Sequence, residues 1–367
     1  MNRREFLGSL AAATAASAPF AAAQTGPANG IKLGFDTYSL RAFGWKAMQL
    51  IDYAASLKLD TIQISSVGDY ESTDPAHLAK VKQHAMEKGI ELDGGTGCVC
   101  ELSKSWGKKD PALVQKVLID GLKISNAVGA KSMRVYMGSS DDRIGRPIEQ
   151  CMEATIKNFK AVRSVAQDLN VKIAIENHSG DMTARETRTL IEEAGKDYVA
   201  SCLDTGNPMW VMEHPMTTLE ILGPYCVTTH IRDSIVFTTP EGAAAQWVVL
   251  GDGVVDYKEF CTLYAKLCPT AAMQLEVITG RPPRIIPYND REYWKQFPKM
   301  PAMDFARFLD LAKNGHPYMG AMVVEDVAGK KPAEYTTALK EQQRVDLERS
   351  LEYAKKQLGA GVRWKKG

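Results

Sequence analysis

Four ionisable side chains each close an apolar run in the second half of the chain. Glu176 ends AIE in AIENHSG (174–180), and Asp204 ends SCLD in SCLDTGN (201–207). His230 lies in TTHIRD (228–233), and Glu276 in QLEVITG (274–280). Any one of them could cap a helix or pair with Lys or Arg. All four in series point to a shared site. Three carboxylates and an imidazole brought together would repel one another and be costly to desolvate. A divalent cation removes both difficulties. Oxygen-rich coordination with one imidazole suits Mn²⁺ best, with Mg²⁺, Co²⁺ or Zn²⁺ also fitting.

The elements that must position these residues are legible in the hydrophobic pattern. Short β-type runs occur at 32–38, 61–65, 91–95, 132–137, 171–176, 199–204, 227–232 and 273–278. Between them lie stretches of helical period at 44–57, 75–88, 111–127, 149–169, 184–195, 214–222 and 256–267, with 303–314 after the eighth run. Eight strand–helix units predict a (β/α)8 TIM barrel of the α/β class, a single domain over 30–358. In a barrel the strand C-termini share one rim, so the four residues converge there. A doubly wound sheet would carry a Gly-rich phosphate turn after its first strand, and FDTYSL has none. A last helix at 334–358, dense in Lys and Glu, is expected as an extra, solvated C-terminal element.

ENH, DTGN, HIRD and LE, in that order, together with VLGDGVVDYKEF (249–260), resemble the xylose isomerase-like barrel superfamily, in its sugar phosphate isomerase/epimerase branch. The likeness spans essentially the whole chain after its leader. It implies Glu176, Asp204, His230 and Glu276 as metal ligands. It also implies Glu176 and Glu276 as an acid–base pair that moves a proton alpha to a carbonyl through an enediolate. Two departures weaken a ketose-epimerase assignment. Asn207 stands where many relatives have His, and Val236 stands where ketose epimerases have Arg. Arg232 and Asp233 follow His230 instead.

Substrate contacts are expected from His178, Asn207, Arg232, Arg134, Arg281 and Trp294, with Arg284, Tyr288, Tyr293 and Phe297 as further members of the long segment 279–303. Two roles are open to that segment: a lid over the site, or packing over the barrel end or against a second copy in a homo-oligomer. Asp252 and Asp256 are expected to cap the seventh helix, and His77, His84 and His214 to lie on the surface.

The substrate class follows as a neutral small-molecule sugar or keto-sugar. Elimination or hydration of a 3-keto-glycoside is the alternative use of the same site, and a non-catalytic sugar-binding protein is the rival from another class. A net charge of +1 gives no reason to expect a nucleic-acid partner, and a repair endonuclease would need extra histidines and a basic face. Seven cysteines without a C-x-x-C pair do not form a disulfide framework or a thiolate zinc site. Cys98 and Cys100 read as buried small hydrophobes. The start of the chain, with Arg3-Arg4-Glu5-Phe6-Leu7 and an Ala-rich run to Ala23, resembles a twin-arginine signal peptide over 1–23. It predicts export of the folded protein to the bacterial periplasm, with no membrane association once the leader is removed.

Overall fold

All eight apolar runs are strands in the computed structural model, which describes residues 26–107, 109–320, 323–326 and 328–366. The expected leader at 1–23 lies outside the described residues. The barrel strands are β1 (Leu33–Asp36), β2 (Thr61–Ile64), β3 (Glu91–Cys98), β4 (Ser132–Tyr136), β5 (Lys172–Glu176), β6 (Val199–Asp204), β7 (Cys226–His230) and β10 (Met273–Leu275). They pair in parallel in the order β10-β1-β2-β3-β4-β5-β6-β7. Both faces are covered, which is why the runs are nearly continuous in apolar residues and do not alternate. Closure between β7 and β10 rests on two backbone bonds, Ile231 N–H to the Gln274 carbonyl (2.8 Å) and Glu276 N–H to the Ile231 carbonyl (3.1 Å). That closure sets Glu276 beside His230.

Around the barrel run helices α1 (Ala47–Ser56), α2 (Pro75–Lys88), α3 (Pro111–Val128), α4 (Glu149–Ala161), α5 (Arg163–Asp168), α6 (Ala184–Ala194), α7 (Pro215–Leu222), α8 (Tyr257–Leu267), α9 (Ala302–Asn314) and α10 (Ala333–Lys356). Local chemistry explains their ends. Asp110 accepts from Ala112 N–H at the start of α3, and Gly129 closes it at φ 87°. Thr183 and Glu186 form a capping box on α6. Among the described residues no helix is long and apolar enough to cross a membrane.

The structure departs from the sequence expectations in several places. The helical stretch 149–169 breaks at Val162 (φ −107°, ψ 8°) into α4 and α5. Strand β3 runs on to Cys98, because Gly94 lets α3 approach: a Cβ there would lie 2.2 Å from Ser125 Oγ. Helix α10 is not a solvated addition. Leu347, Leu351 and Ala354 are buried, Gln343 accepts from Ala42 N–H, and Glu348 accepts from the Tyr53 hydroxyl. It packs beside β10 and the turn after β1, the place of an eighth barrel helix. Helix α9 instead packs on a hairpin that the sequence pattern did not show.

That hairpin, β8 (Asp233–Thr239) and β9 (Gly242–Val248), pairs antiparallel and is joined by β11 (Arg284–Ile286), so part of the 279–303 segment is a strand. Asp233 fastens its return by accepting from the backbone N–H groups of Ser234, Gly251 and Gly253. Asp256 caps α8 as expected, accepting from Lys258 and Glu259. Asp252 does not cap; it pairs with Arg349 of α10 at 3.1 Å. His77, His84 and His214, expected on the surface, are each half-buried, and His214 caps α7 through its Nδ1. The seven cysteines are free and buried, in line with Cys98 and Cys100 acting as small hydrophobes.

Candidate metal centre

Glu176, Asp204 and His230 are the last residues of β5, β6 and β7, and Glu276 directly follows β10. Their ligand atoms all lie within 4.8 Å of one another, and all four residues are buried. Parallel register brings this about: Glu176 stands opposite Cys202, and Asp204 opposite His230. Asn177 locks β5 to β6 by accepting from Asp204 N–H (2.9 Å) and donating to the Asp204 carbonyl (3.0 Å).

The state of His230 decides what the cluster can hold. Its Nε2 faces Gln63 Oε1, an acceptor, so Nε2 carries the proton. Nδ1 faces Glu276 Oε2 at 3.1 Å and Glu176 Oε2 at 3.4 Å. It has no hydrogen-bond partner. A ring nitrogen beside two carboxylate oxygens calls for positive charge there, carried by its own proton or by a cation among them. Burial works against a charged imidazole, yet Cys202, Glu276 and Glu176 around it hold the His230 pKa well above the usual value. The pocket favours positive charge at this point.

Two guanidiniums supply part of that charge. Arg134 bonds Glu176 through Nε and pairs with it through Nη2. Arg232 donates from Nε to Asp204 Oδ2 (2.9 Å), and its Nη2 contacts Asp204 and Glu276 and lies 3.7 Å from Glu176. Burial would raise the Glu176 carboxyl, but Arg134 and His230 hold it well below the usual range. Against burial, Arg232 and His230 bring Glu276 down to about 2. Burial pushes Asp204 up to about 6 in spite of Arg232. Three carboxylates, two guanidiniums and the His230 ring are packed together, and Nδ1 of that ring has no hydrogen-bond partner. The donor set and the unpartnered Nδ1 therefore fit a divalent cation.

The rim loops frame a cavity of about 830 Å³ above this cluster. After β5, Ser179 (φ 45°) and Gly180 (φ 78°) turn the chain back, and Asp181 bonds His178 N–H and Gly138 N–H. His178 gives Nδ1 to the Gly138 carbonyl (2.7 Å) and stacks on Tyr136 at 4.0 Å, lining the cavity. Burial lowers its pKa to about 4, so the ring is neutral at pH 7.

Of the expected substrate residues, Arg134, His178, Arg232 and Arg281 line the cavity. Asn207 does not; it donates to Glu176 Oε1 at 3.1 Å and so supports a ligand. Trp294 is corrected outright. It gives its indole N–H to the Tyr288 carbonyl and packs edge-on against Phe305, because it belongs to the apolar cluster that seats the 279–303 segment. The tryptophans of the cavity wall are Trp210 and Trp247, stacked at 4.5 Å. Also missed was Asp36, which ends β1 and has an unpartnered Oδ2 at 3.5 Å from His230 Nε2. FDTYSL carried the same strand-end signal as the four residues recognised. Gln63, inside β2, gave no signal at all.

Residues 51–280 match a family model described as xylose isomerase-like TIM barrel. A 3-oxo-isoapionate decarboxylase of Pectobacterium atrosepticum is 22% identical over 242 residues, 61% of this chain and 78% of that protein. Among solved structures, D-psicose 3-epimerase in the presence of D-fructose superposes with a TM-score of 0.56 at 16% identity, covering 90% of this chain and 100% of that one. A xylose isomerase-like TIM barrel protein from Mycobacterium smegmatis in complex with magnesium gives 0.54 at 14% identity, covering 77% and 96%. At these identities the structural likenesses establish the fold.

Proposed function

Because the chain belongs to the xylose isomerase-like TIM barrel family, we propose that it is a divalent-metal-dependent sugar isomerase or epimerase. The observation that carries this reading is the buried set Glu176, Asp204, His230 and Glu276, with His230 Nδ1 unpartnered between two glutamates. These four residues would hold the ion, with Mn²⁺ favoured. When bound, it would polarise a substrate carbonyl and offset charge developing on the sugar.

The chain's own residues do the rest. Glu276 lines the cavity and, with its pKa near 2, is ionised at neutral pH, as a base must be. It takes the proton alpha to the carbonyl. Glu176 is the partner carboxylate; Arg134 and Asn207 fix its position and hold it ionised between turnovers. His178, with Nδ1 committed to Gly138 and Nε2 in reach of the Ser179 hydroxyl at 3.3 Å, would accept from a substrate hydroxyl in place of Ser179. Tyr136, Trp210 and Trp247 wall the cavity with aromatic faces suited to a sugar ring.

A second reading, a lyase or hydratase acting on a 3-keto-glycoside or other oxidised sugar, draws on the relative whose name is that of a decarboxylase of a 3-oxo acid. It uses the same proton abstraction. Metal analysis of the purified protein, with NMR of sugars and 3-keto-glycosides in D₂O, tests both. One equivalent of divalent ion with exchange at a carbon alpha to a carbonyl supports isomerisation, and release of an aglycone supports the lyase. Stoichiometric metal with neither reaction would leave a sugar-binding protein. Absence of metal would sink all of these metal-dependent readings. We propose the bacterial periplasm as the compartment, on the Arg3-Arg4 leader. Replacing both arginines by Lys should abolish export, measured by fractionation.

A further inference from the structure

The charge around the cavity is uneven. Four arginines line it, Arg134, Arg232, Arg281 and Arg284, against a single lining carboxylate, Glu276. Arg134 and Arg232 are spoken for by Glu176, Asp204 and Glu276. Arg281 is exposed and donates to the Asp326 carbonyl. Arg284 differs from all of these. It is half-buried on β11, and among the described residues no carboxylate lies within ion-pair distance of it. Its one side-chain hydrogen bond goes to the Ser140 hydroxyl.

What holds Arg284 in place is aromatic. Its guanidinium lies 4.4 Å over Trp210, Trp210 stacks on Trp247 at 4.5 Å, and Trp247 lies 4.4 Å from the guanidinium carbon of Arg232. The order is Arg284, Trp210, Trp247, Arg232, so two indoles separate the uncompensated charge from the one on the metal ligands. A cation over an indole regains only part of the hydration lost on burial. Stacking also fixes the plane of the guanidinium, and Arg284 lines the cavity with Ser140 as its one side-chain hydrogen-bond partner among the described residues, which leaves N–H groups free for a planar carboxylate.

We propose that the substrate is an acidic sugar, and that Arg284 binds its carboxylate while the carbonyl end sits at the Glu176–Asp204–His230–Glu276 cluster. This deepens the proposed function and rests on its placement of the sugar. It also replaces the neutral sugar that the sequence suggested. A carboxylate fits better than a phosphate, since one planar guanidinium and a hydroxyl are offered and no run of backbone N–H groups is.

Three ligands that differ at one carbon test it: D-fructose, D-fructuronate and D-fructose 6-phosphate. Binding to the Mn²⁺-loaded protein is read by calorimetry and by Trp fluorescence, with no turnover needed. Fructuronate should bind roughly 10- to 100-fold more tightly than fructose. In Arg284→Met, which keeps a side chain over Trp210, that ratio should collapse toward one. Arg284→Lys should keep part of it, and its melting curve shows whether the site still folds. Equal binding of fructose and fructuronate, binding of neither, or a ratio that survives Arg284→Met overturns the proposal. Tighter binding of the phosphate than of the uronate overturns the carboxylate. If the ratio depends on Arg284 but no C–H exchange occurs with any ligand, the isomerase reading fails and the acidic ligand stands. Exchange with fructose and no uronate preference is the reverse case.

Discussion

The barrel holds two groups of buried or half-buried carboxylates, one at each end, and they are treated in opposite ways. Toward the N-terminal end, Asp93 accepts from Ser132, Thr228 and Gln274, and Asp60 accepts from the backbone of Leu33, Val362 and Arg363. Both oxygens of each carboxylate have partners. At the C-terminal rim, Asp36 Oδ2 and His230 Nδ1 have no hydrogen bond, and Glu276 Oε2 is met by the Arg232 guanidinium. A buried polar group left unpaired costs about 1–3 kcal/mol, and folding alone gives no return on it. The satisfied group is structural, whereas the unsatisfied one is shaped for something that binds. The two are joined: His230 Nε2 donates to Gln63, Gln63 to Thr228, and Thr228 to Asp93. The structural end thus orients the imidazole and keeps the Nε2 proton in place at the functional end.

The sharpest test removes a rim carboxylate. Glu276→Gln should lower turnover by at least about 10³-fold with the melting temperature little changed, by NMR assay and thermal denaturation. Full activity in that variant would erase the distinction between the two groups.

A third carboxylate on the satisfied side gives a pH test. Glu213 accepts from Ala184 N–H and the Thr218 hydroxyl, and burial pushes it up to about 7. The native state then keeps a proton that the unfolded chain releases near pH 4.5. The contribution is present below that pH and is lost as pH rises to about 7, by up to about 3 kcal/mol. Glu213→Gln should flatten this part of the stability–pH curve in denaturant titrations, while metal stoichiometry stays the same.

Gln63→Leu cuts the link between the groups. Metal affinity, by competition with a chelating dye, should fall about 10- to 100-fold because Nε2 loses its acceptor. The smallest effect is expected from Asp93→Asn: stability lower by about 1–2 kcal/mol, with bound metal unchanged. Loss of metal in that variant would show that the N-terminal cluster serves the site directly.

Much of this was open to a reader of the sequence, for physical reasons. Strand runs such as VKIAIE and helix caps such as Asp110-Pro111 are local statements, made by residues a few positions apart. A side chain at a strand end also inherits its place on the rim from the strand. Glu176, Asp204, His230 and Glu276 were therefore readable, and Asp36 would have been. The hairpin was hidden because β9 is built on Gly242-Ala243-Ala244-Ala245, which has low β-propensity and is held by pairing with β8 and β11. Trp294 lies near Glu276 along the chain, whereas Trp210 and Trp247 reach the cavity only through the fold, so chain proximity points to the wrong tryptophan.

The sequence by itself determined the barrel, the order of its strands and the four residues that meet on its rim, because periodicity and strand ends are encoded locally. The tertiary structure alone decided which Trp walls the cavity, that Gln63 is the partner of His230, and that among the described residues no carboxylate pairs with Arg284. Each of these depends on residues far apart in the chain, 167 positions for Gln63 and His230 and 144 for Ser140 and Arg284. Closing the barrel brings such pairs together, and no pattern within one segment reports it.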